Sequence, residues 1–187
     1  MKRRGLLLDR DGVINIDRGY IGRREDFEFV SGIFPFLRAA QDLGFRLTII
    51  TNQAGVAYGL YTAADYEKLT TWMLKEFAKE GIAIDLVLAA FEHAEGKVAA
   101  YRRESFWRKP NPGMVLETIQ RLDLDPARSV FLGDHERDMQ AAKAGGIKTR
   151  LHIPGTTKET PPGAIRVESF DEALKKLKAL ADLAPDS

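Results

Sequence analysis

Five short apolar runs alternate with amphipathic segments along this chain, and that alternation limits its fold more than any other feature. The runs are residues 6–8, 45–50, 84–90, 129–132 and 147–151. Between the first two, Ile33, Phe34, Phe36, Leu37, Ala40 and Leu43 recur at helical spacing and stop at Gly44. Tyr66, Leu69, Met73 and Phe77 form a second stripe, opened by Thr62 with Asp65 three residues on and closed by Gly81. Asn111 and Pro112 read as cap and first residue of a helix through Leu122, and residues 137–144 are helical. Ser169 and Glu172 form a capping box for a last helix with Phe170, Ala173, Leu174, Leu177 and Leu180 on its apolar face, after a short strand at 165–167. Strands too apolar to face water, alternating with helices, predict an α/β fold: a doubly wound, Rossmann-like parallel sheet flanked by helices. At 187 residues the chain reads as a single domain over residues 1–187.

The strand ends carry the chemistry. The first run leads into Asp9-Arg10-Asp11-Gly12, and residues two apart in an extended chain point to the same side. Two such carboxylates would push one another toward neutrality unless a hard cation joined them, and Mg²⁺ commonly binds one or two carboxylates together with a phosphate. Thr51-Asn52-Gln53, Arg108-Lys109 and Gly133-Asp134 also lie at or just beyond strand ends. The carboxyl edge of an open α/β sheet is where ligands bind. Each motif has a plainer meaning on its own: a turn at Thr51-Asn52, a solvated Lys109, acidic residues favouring a helix N-terminus at Asp134 and Asp138. Their common place along one sheet edge argues against the plainer meanings.

Composition narrows the function. Basic residues number 28 and acidic residues 27, so no global field recruits nucleic acid or an anionic membrane. No cysteine is present, which removes thiolate metal sites and fits a cytoplasmic protein. No apolar run approaches the roughly 18 residues of a membrane span. Residues 154–163, rich in Pro, Thr and Gly, read as a surface loop, and residues 16–30 as a loop or hairpin flap beside the site.

The order Asp9-Arg-Asp-Gly, Thr51-Asn-Gln, Lys109-Pro and Gly133-Asp134-x-x-x-Asp138 resembles the four motifs of the haloacid dehalogenase superfamily phosphatases. Within it, Asp-Arg-Asp-Gly-Val-Ile-Asn, Gly19-Tyr20, Phe27-Glu28-Phe29, Thr-Asn-Gln-Ala-Gly-Val-Ala and Arg-Lys-Pro-Asn-Pro-Gly-Met resemble the heptose 1,7-bisphosphate 7-phosphatases and their histidinol-phosphatase relatives. The resemblance implies a Mg²⁺-dependent phosphomonoesterase in which Asp9 takes the phosphoryl group and Asp11 serves as acid and base. It implies a metal site of Asp9, the Asp11 backbone carbonyl and Asp134, with Asp138 acting through a bound water and the Asp11 side chain left free. Thr51, Asn52 and Lys109 would hold the phosphoryl oxygens, while Arg108, Gln53, Asp17 and Tyr20 would meet the rest of a small sugar phosphate. Intervals between motifs are too short for a large cap domain. The competing readings are a histidinol-phosphate or other small phosphomonoester phosphatase and a low-turnover phospho-accepting module; oligomeric state stays open.

Three departures stand out. Aligned back from Arg108, the zinc-loop positions of the resembling enzymes hold Ala90, Glu92, Ser105 and Trp107, so no structural zinc is expected. Tyr58 and His135 stand where those enzymes commonly carry arginine and lysine. Without zinc, burial of Phe91, Tyr101, Phe106 and above all Trp107 is expected to hold residues 91–107, with Arg102 or Arg103 pairing to Glu92, Glu95 or Glu104. His93 and His152 have no companion ligands and read as non-catalytic.

Overall fold

The computed structural model describes residues 2–155 and 157–182. Six parallel strands, β1 (Arg4–Leu8), β2 (Phe45–Asn52), β3 (Leu86–Ala90), β4 (Val130–Gly133), β5 (Thr149–His152) and β6 (Ile165–Arg166), form one sheet in the order β3-β2-β1-β4-β5-β6. Six helices connect or flank them: α1 (Ile33–Asp42), α2 (Gly55–Tyr58), α3 (Ala63–Lys79), α4 (Gly113–Leu122), α5 (Glu136–Ala144) and α6 (Phe170–Asp182). Among the described residues no large cap domain interrupts them. Position 156 in the 154–163 loop, and residues 1 and 183–187 of the expected domain, lie outside the described residues.

The two faces of the sheet separate along single strands, as a two-residue period requires. Leu6 and Leu8 of β1, Leu47 and Ile49 of β2 and Val130 and Leu132 of β4 pack into one core with Phe36, Met73, Phe77 and Leu177. Leu7, Ile50 and Phe131 point the other way, onto Met114, Val115, Met139 and Ile147. The apolar runs could be continuous because both faces are covered. On α3 the expected stripe is the buried one, Tyr66, Leu69, Met73 and Phe77, and Thr62 with Asp65 closes a full capping box.

Two helix starts differ from expectation. Pro112 is the cap of α4, while the Asn111 amide donates to Ser105 O at 2.9 Å and ties down the preceding loop. Before α6, Ser169 Oγ accepts from Glu172 N–H as expected, but the Glu172 carboxylate turns to the Glu168 N–H at 2.9 Å. The flap at 16–30 is pinned as a hairpin, with Ile16 N–H donating to Glu28 O and Val30 N–H to Ile14 O.

The 91–107 segment is anchored at its other end from the one expected. Phe106 is 61% exposed and Trp107 37%, whereas Phe91 packs edge-on to Tyr66 and Tyr101. The cause is a close backbone approach: Gly113 N–H donates to Phe106 O, and a β-carbon at Gly113 would lie 2.5 Å from that oxygen. With its backbone pressed onto α4, this stretch turns its rings outward. Arg103 pairs with Glu92 at 2.9 Å, an exposed contact that contributes little.

Candidate active site

Chain order places β1 beside β4, where the direction of strand addition reverses, so the carboxyl ends of these two strands flank the crevice of a doubly wound sheet. Asp9 follows β1 and Asp134 follows β4. Among the described residues, Asp9, Asp134 and Asp138 form the group of acidic side chains able to hold a metal, their oxygens all within 4.8 Å of one another and all three buried. Gly12, at φ +86°, lets the chain turn against this cluster, since a β-carbon there would sit 2.3 Å from Asp134 Oδ2. At Gly133, the last residue of β4, a β-carbon would lie 2.5 Å from Asp138 Oδ2.

Lys109 inserts its ammonium into the cluster from a cis Lys109–Pro110 segment. Its Nζ lies 2.9 Å from Asp9 Oδ1, 2.7 Å from Asp138 Oδ1 and 2.9 Å from Ile50 O. Asn52 sets its backbone with two bonds: the side-chain amide donates to Lys109 O, and Lys109 N–H donates to Asn52 Oδ1. Burial works against the Lys109 charge, but Asp138 and Asp9 outweigh it and the pKa is raised. Asp9 is pushed up to about 8, chiefly by burial and then by the Asp138 charge, with Lys109 opposing and Asp134 and Asp11 adding. Asp138 also accepts from the His135 N–H at 3.1 Å, and behind the cluster His152 Nε2 donates to Asp134 O.

The Asp11 carboxylate is held by neighbouring side chains. Arg10 Nε and Nη2 and the Asn15 amide donate to its Oδ1, and Gln53 Nε2 donates to its Oδ2 at 2.8 Å. Arg10 is 1% exposed and lies over the rings of Phe27 and Tyr66. Its position inside the first motif had no legible role in sequence, because a basic residue between two acidic ones carries no periodic signal. Gln53 in turn donates to Thr51 Oγ1 and accepts from Tyr61. Thr51 is fully buried, with its hydroxyl proton left to donate.

Asp11, Asn52 and Gln53 form the floor of a cleft of about 240 Å³. Asp17, Gly19 and Tyr20 of the flap and Arg108 line it; Asp17 Oδ1 accepts from Gly19 N–H. Tyr58, Tyr61, His93, His135 and Arg137 line it as well. Of these, Tyr58 and His135 were visible in sequence only as departures, His93 only as a histidine without companion ligands, and nothing marked Tyr61 or Arg137. Arg108 donates to Glu92 O at 3.4 Å, and its pKa is lowered by burial and by Arg137 nearby. His135 is also lowered, by burial and then Arg137. Two guanidinium groups at one wall make a surface suited to an anion.

A family model described as HAD-hydrolase-like matches residues 106–180. The chain is 46% identical over 153 residues to D-glycero-alpha-D-manno-heptose-1,7-bisphosphate 7-phosphatase of Burkholderia mallei, covering 82% of this chain and 81% of that one. It is 37% identical over 178 residues to D-glycero-beta-D-manno-heptose-1,7-bisphosphate 7-phosphatase of Escherichia coli K12, covering 95% and 90%. In fold it is similar to a D,D-heptose 1,7-bisphosphate phosphatase of B. bronchiseptica solved with magnesium and phosphate, at a TM-score of 0.80, 24% identity and coverage of 94% and 98%. With four motifs gathered on one sheet edge and relatives of this similarity along most of its length, the chain belongs to the haloacid dehalogenase-like phosphatases, in the family of the heptose-1,7-bisphosphate 7-phosphatases.

Proposed function

We propose that this phosphatase removes the 7-phosphate of D-glycero-D-manno-heptose 1,7-bisphosphate, with Mg²⁺ and through an aspartyl-phosphate on Asp9. The observation that carries this reading is the buried Asp9, fixed beside Lys109 and two further carboxylates, with Asp11 two residues on lining a cleft sized for a small polar molecule. The donor set fits a hard cation: three buried carboxylates against one ammonium leave negative charge in excess, and oxygen ligands suit Mg²⁺. Asp9, Asp134 and Asp138, with the Asp11 carbonyl, would hold it, and when bound it supplies positive charge to the phosphoryl oxygens. A relative in fold was solved with magnesium and phosphate, which supports the choice of ion.

In this reading the Asp9 carboxylate attacks phosphorus and the bond to the sugar oxygen breaks. Asp11 gives the departing alkoxide its proton, then takes one from the water that cleaves the acyl-phosphate. Thr51 O–H, the Asn52 backbone and the Lys109 ammonium hold the phosphoryl oxygens as charge moves among them. Arg10, Asn15 and Gln53 keep the Asp11 carboxylate in one orientation, so proton transfer requires no search among rotamers. Arg108, Gln53, Asp17 and Tyr20 face the remainder of the substrate. A cytoplasmic setting accords with a chain without cysteine, and no helix among the described residues is long and apolar enough to cross a membrane.

The two relatives are named for opposite anomers of one substrate. Phosphate release should therefore be followed on both anomers, histidinol phosphate and simple hexose phosphates, with Mg²⁺ and with chelator. Preference for heptose bisphosphate with strict Mg²⁺ dependence is the expected result; turnover that is equal with chelator would overturn the metal assignment, and preference for histidinol phosphate the substrate.

A further inference from the structure

Beyond the phosphoryl-binding floor and the guanidinium wall of Arg108 and Arg137, the cleft has a third side of different chemistry. Tyr20, Tyr58 and His93 make it. Tyr58 ends α2, and the neighbouring Ala57 O accepts from both Lys97 N–H at 2.7 Å and Val98 N–H at 2.9 Å, which staples the 91–107 segment to that turn. His93, carried on the stapled segment, lies with its ring centroid 5.0 Å from that of Tyr58. Glu95 N–H donates to His93 Nδ1 at 3.1 Å, and the Tyr58 oxygen lies 3.0 Å from Nδ1 and 3.2 Å from Nε2. The Tyr58 oxygen is thus held over the His93 ring, close to both of its nitrogens, and the phenol edge is presented to the cleft.

Tyr20 completes this side from the flap. It is 56% exposed and adopts φ +50° directly after Gly19 at φ +78°. An aromatic residue in the left-handed region costs energy, and its exposed ring recovers none of it by core burial. The turn instead sets Tyr20 edge-on to Tyr58, with centroids 5.7 Å apart and planes at 82°. Two rings at this angle form a corner and not a pair of parallel plates, so a planar aromatic group cannot be sandwiched between them. A puckered carbon skeleton can lay its C–H face on Tyr58 and offer a hydroxyl oxygen to the phenol. Neither ring carries a charge, and Arg108 stands close enough to both tyrosines to interact with them, so anionic groups go to the guanidinium groups and the floor while the rings meet an uncharged part of the substrate.

We propose that Tyr58, positioned by His93 and Tyr20, is a specificity-determining residue that selects an uncharged, hydroxyl-bearing carbon skeleton between the reacting phosphate and Arg137. This inference rests on the phosphatase reading and names the part of the substrate that the motif residues leave unread.

The test compares two substrates in wild type and in Y58F, Y58A, H93Q and Y20A. One is whichever compound of the panel above the wild type hydrolyses best; the other is acetyl phosphate, which carries no polyol skeleton. Failure of the heptose assignment then shows in the wild type before any variant is made, and the wall is still tested on the better polyol phosphate. The readout is the ratio of kcat/KM on the first substrate to kcat/KM on the second. Y58F should lower that ratio about tenfold, mostly through KM, as loss of one hydrogen bond predicts. Y58A should lower it further, and H93Q and Y20A by smaller factors. A Y58F protein with the wild-type ratio would overturn the proposal, as would equal losses on both substrates, which would mean a purely structural role. A wild type that prefers a planar aromatic phosphomonoester such as histidinol phosphate would overturn it too. Y58F removes one oxygen from a partly exposed ring, so it keeps the test decisive even if Y58A folds poorly.

Discussion

Lys109 Nζ lies 2.9 Å from Asp9 Oδ1, with the lysine side chain fully closed to solvent and the aspartate 4% exposed. A buried pair of this kind does more for orientation than for net stability, because each charge has lost its water. Removing the ammonium leaves Asp9 and Asp138 facing one another unneutralised. Lys109→Ala should lower kcat by about 10²–10³ at saturating Mg²⁺, the loss typical of one donor to a transferring group. Steady-state kinetics across a Mg²⁺ titration checks this; activity restored by Mg²⁺ alone would show that the lysine serves the metal site and not the phosphoryl group.

The network around Asp11 separates its role from that of Asp9. Asp9→Asn should abolish turnover, since an amide cannot form the acyl-phosphate. Asp11→Asn keeps the backbone carbonyl, and kcat should fall about 10²–10⁴-fold, the usual worth of general acid–base catalysis. Phosphate binding measured by calorimetry in the presence of Mg²⁺ should survive in Asp11→Asn. Near wild-type turnover in that variant would refute the acid–base assignment.

Protonation of Asp9 couples stability to pH and to metal. Its carboxyl stands at about 8 in the folded chain against an ordinary 3.8. The metal-free protein therefore holds that proton more tightly folded than unfolded; the stability this contributes is complete below 3.8 and is lost as pH rises through about 8. A bound cation relieves the loss by favouring the ionised form. With chelator, Tm should fall between about pH 5.5 and about pH 8, and the rise in Tm on adding Mg²⁺ should be larger at the higher pH. Thermal unfolding by circular dichroism at both pH values decides it, and a Mg²⁺ effect larger at the lower pH would contradict the burial argument.

The purified protein should carry no stoichiometric zinc. Structural zinc needs about four nitrogen or sulfur ligands; here Glu92 pairs with Arg103 and His93 is engaged by Tyr58 and Glu95. Elemental analysis, with activity measured after chelation and Mg²⁺ return, is the check. Zinc at one equivalent, or activity regained only with zinc, would refute it. In the same protein, Phe91→Ala should disturb the segment more than Trp107→Ala, because Phe91 packs on Tyr66 and Tyr101 while Trp107 is 37% exposed. Local protease sensitivity would rank the two.

The parallel sheet and its buried stripes were legible because burial on a sheet or helix imposes a period that survives in the linear order of residues. Leu6, Leu7 and Leu8 announce a strand covered on both faces, and Tyr66, Leu69, Met73 and Phe77 announce one face of α3. Asp9, Thr51 and Asp134 share a related reason: each stands at a strand end, and parallel strands bring their ends to one edge. Lys109 does not, for it lies in the connection before α4 and reaches that edge through its bonds with Asn52. The Pro112 cap and the outward Trp107 were not, since the approach of the loop backbone to Gly113 decides both. Nor was the clamp on Asp11, which joins Arg10 and Asn15 to Gln53 across separate strands. Least visible was the corner of Tyr20, Tyr58 and His93. Its three members come from three connections of no regular period, and only the packing of those connections at the sheet edge sets their rings and hydrogen bonds together. Periodic burial is written residue by residue along the chain; contacts between loops depend on where the sheet puts their ends, and that is settled in three dimensions.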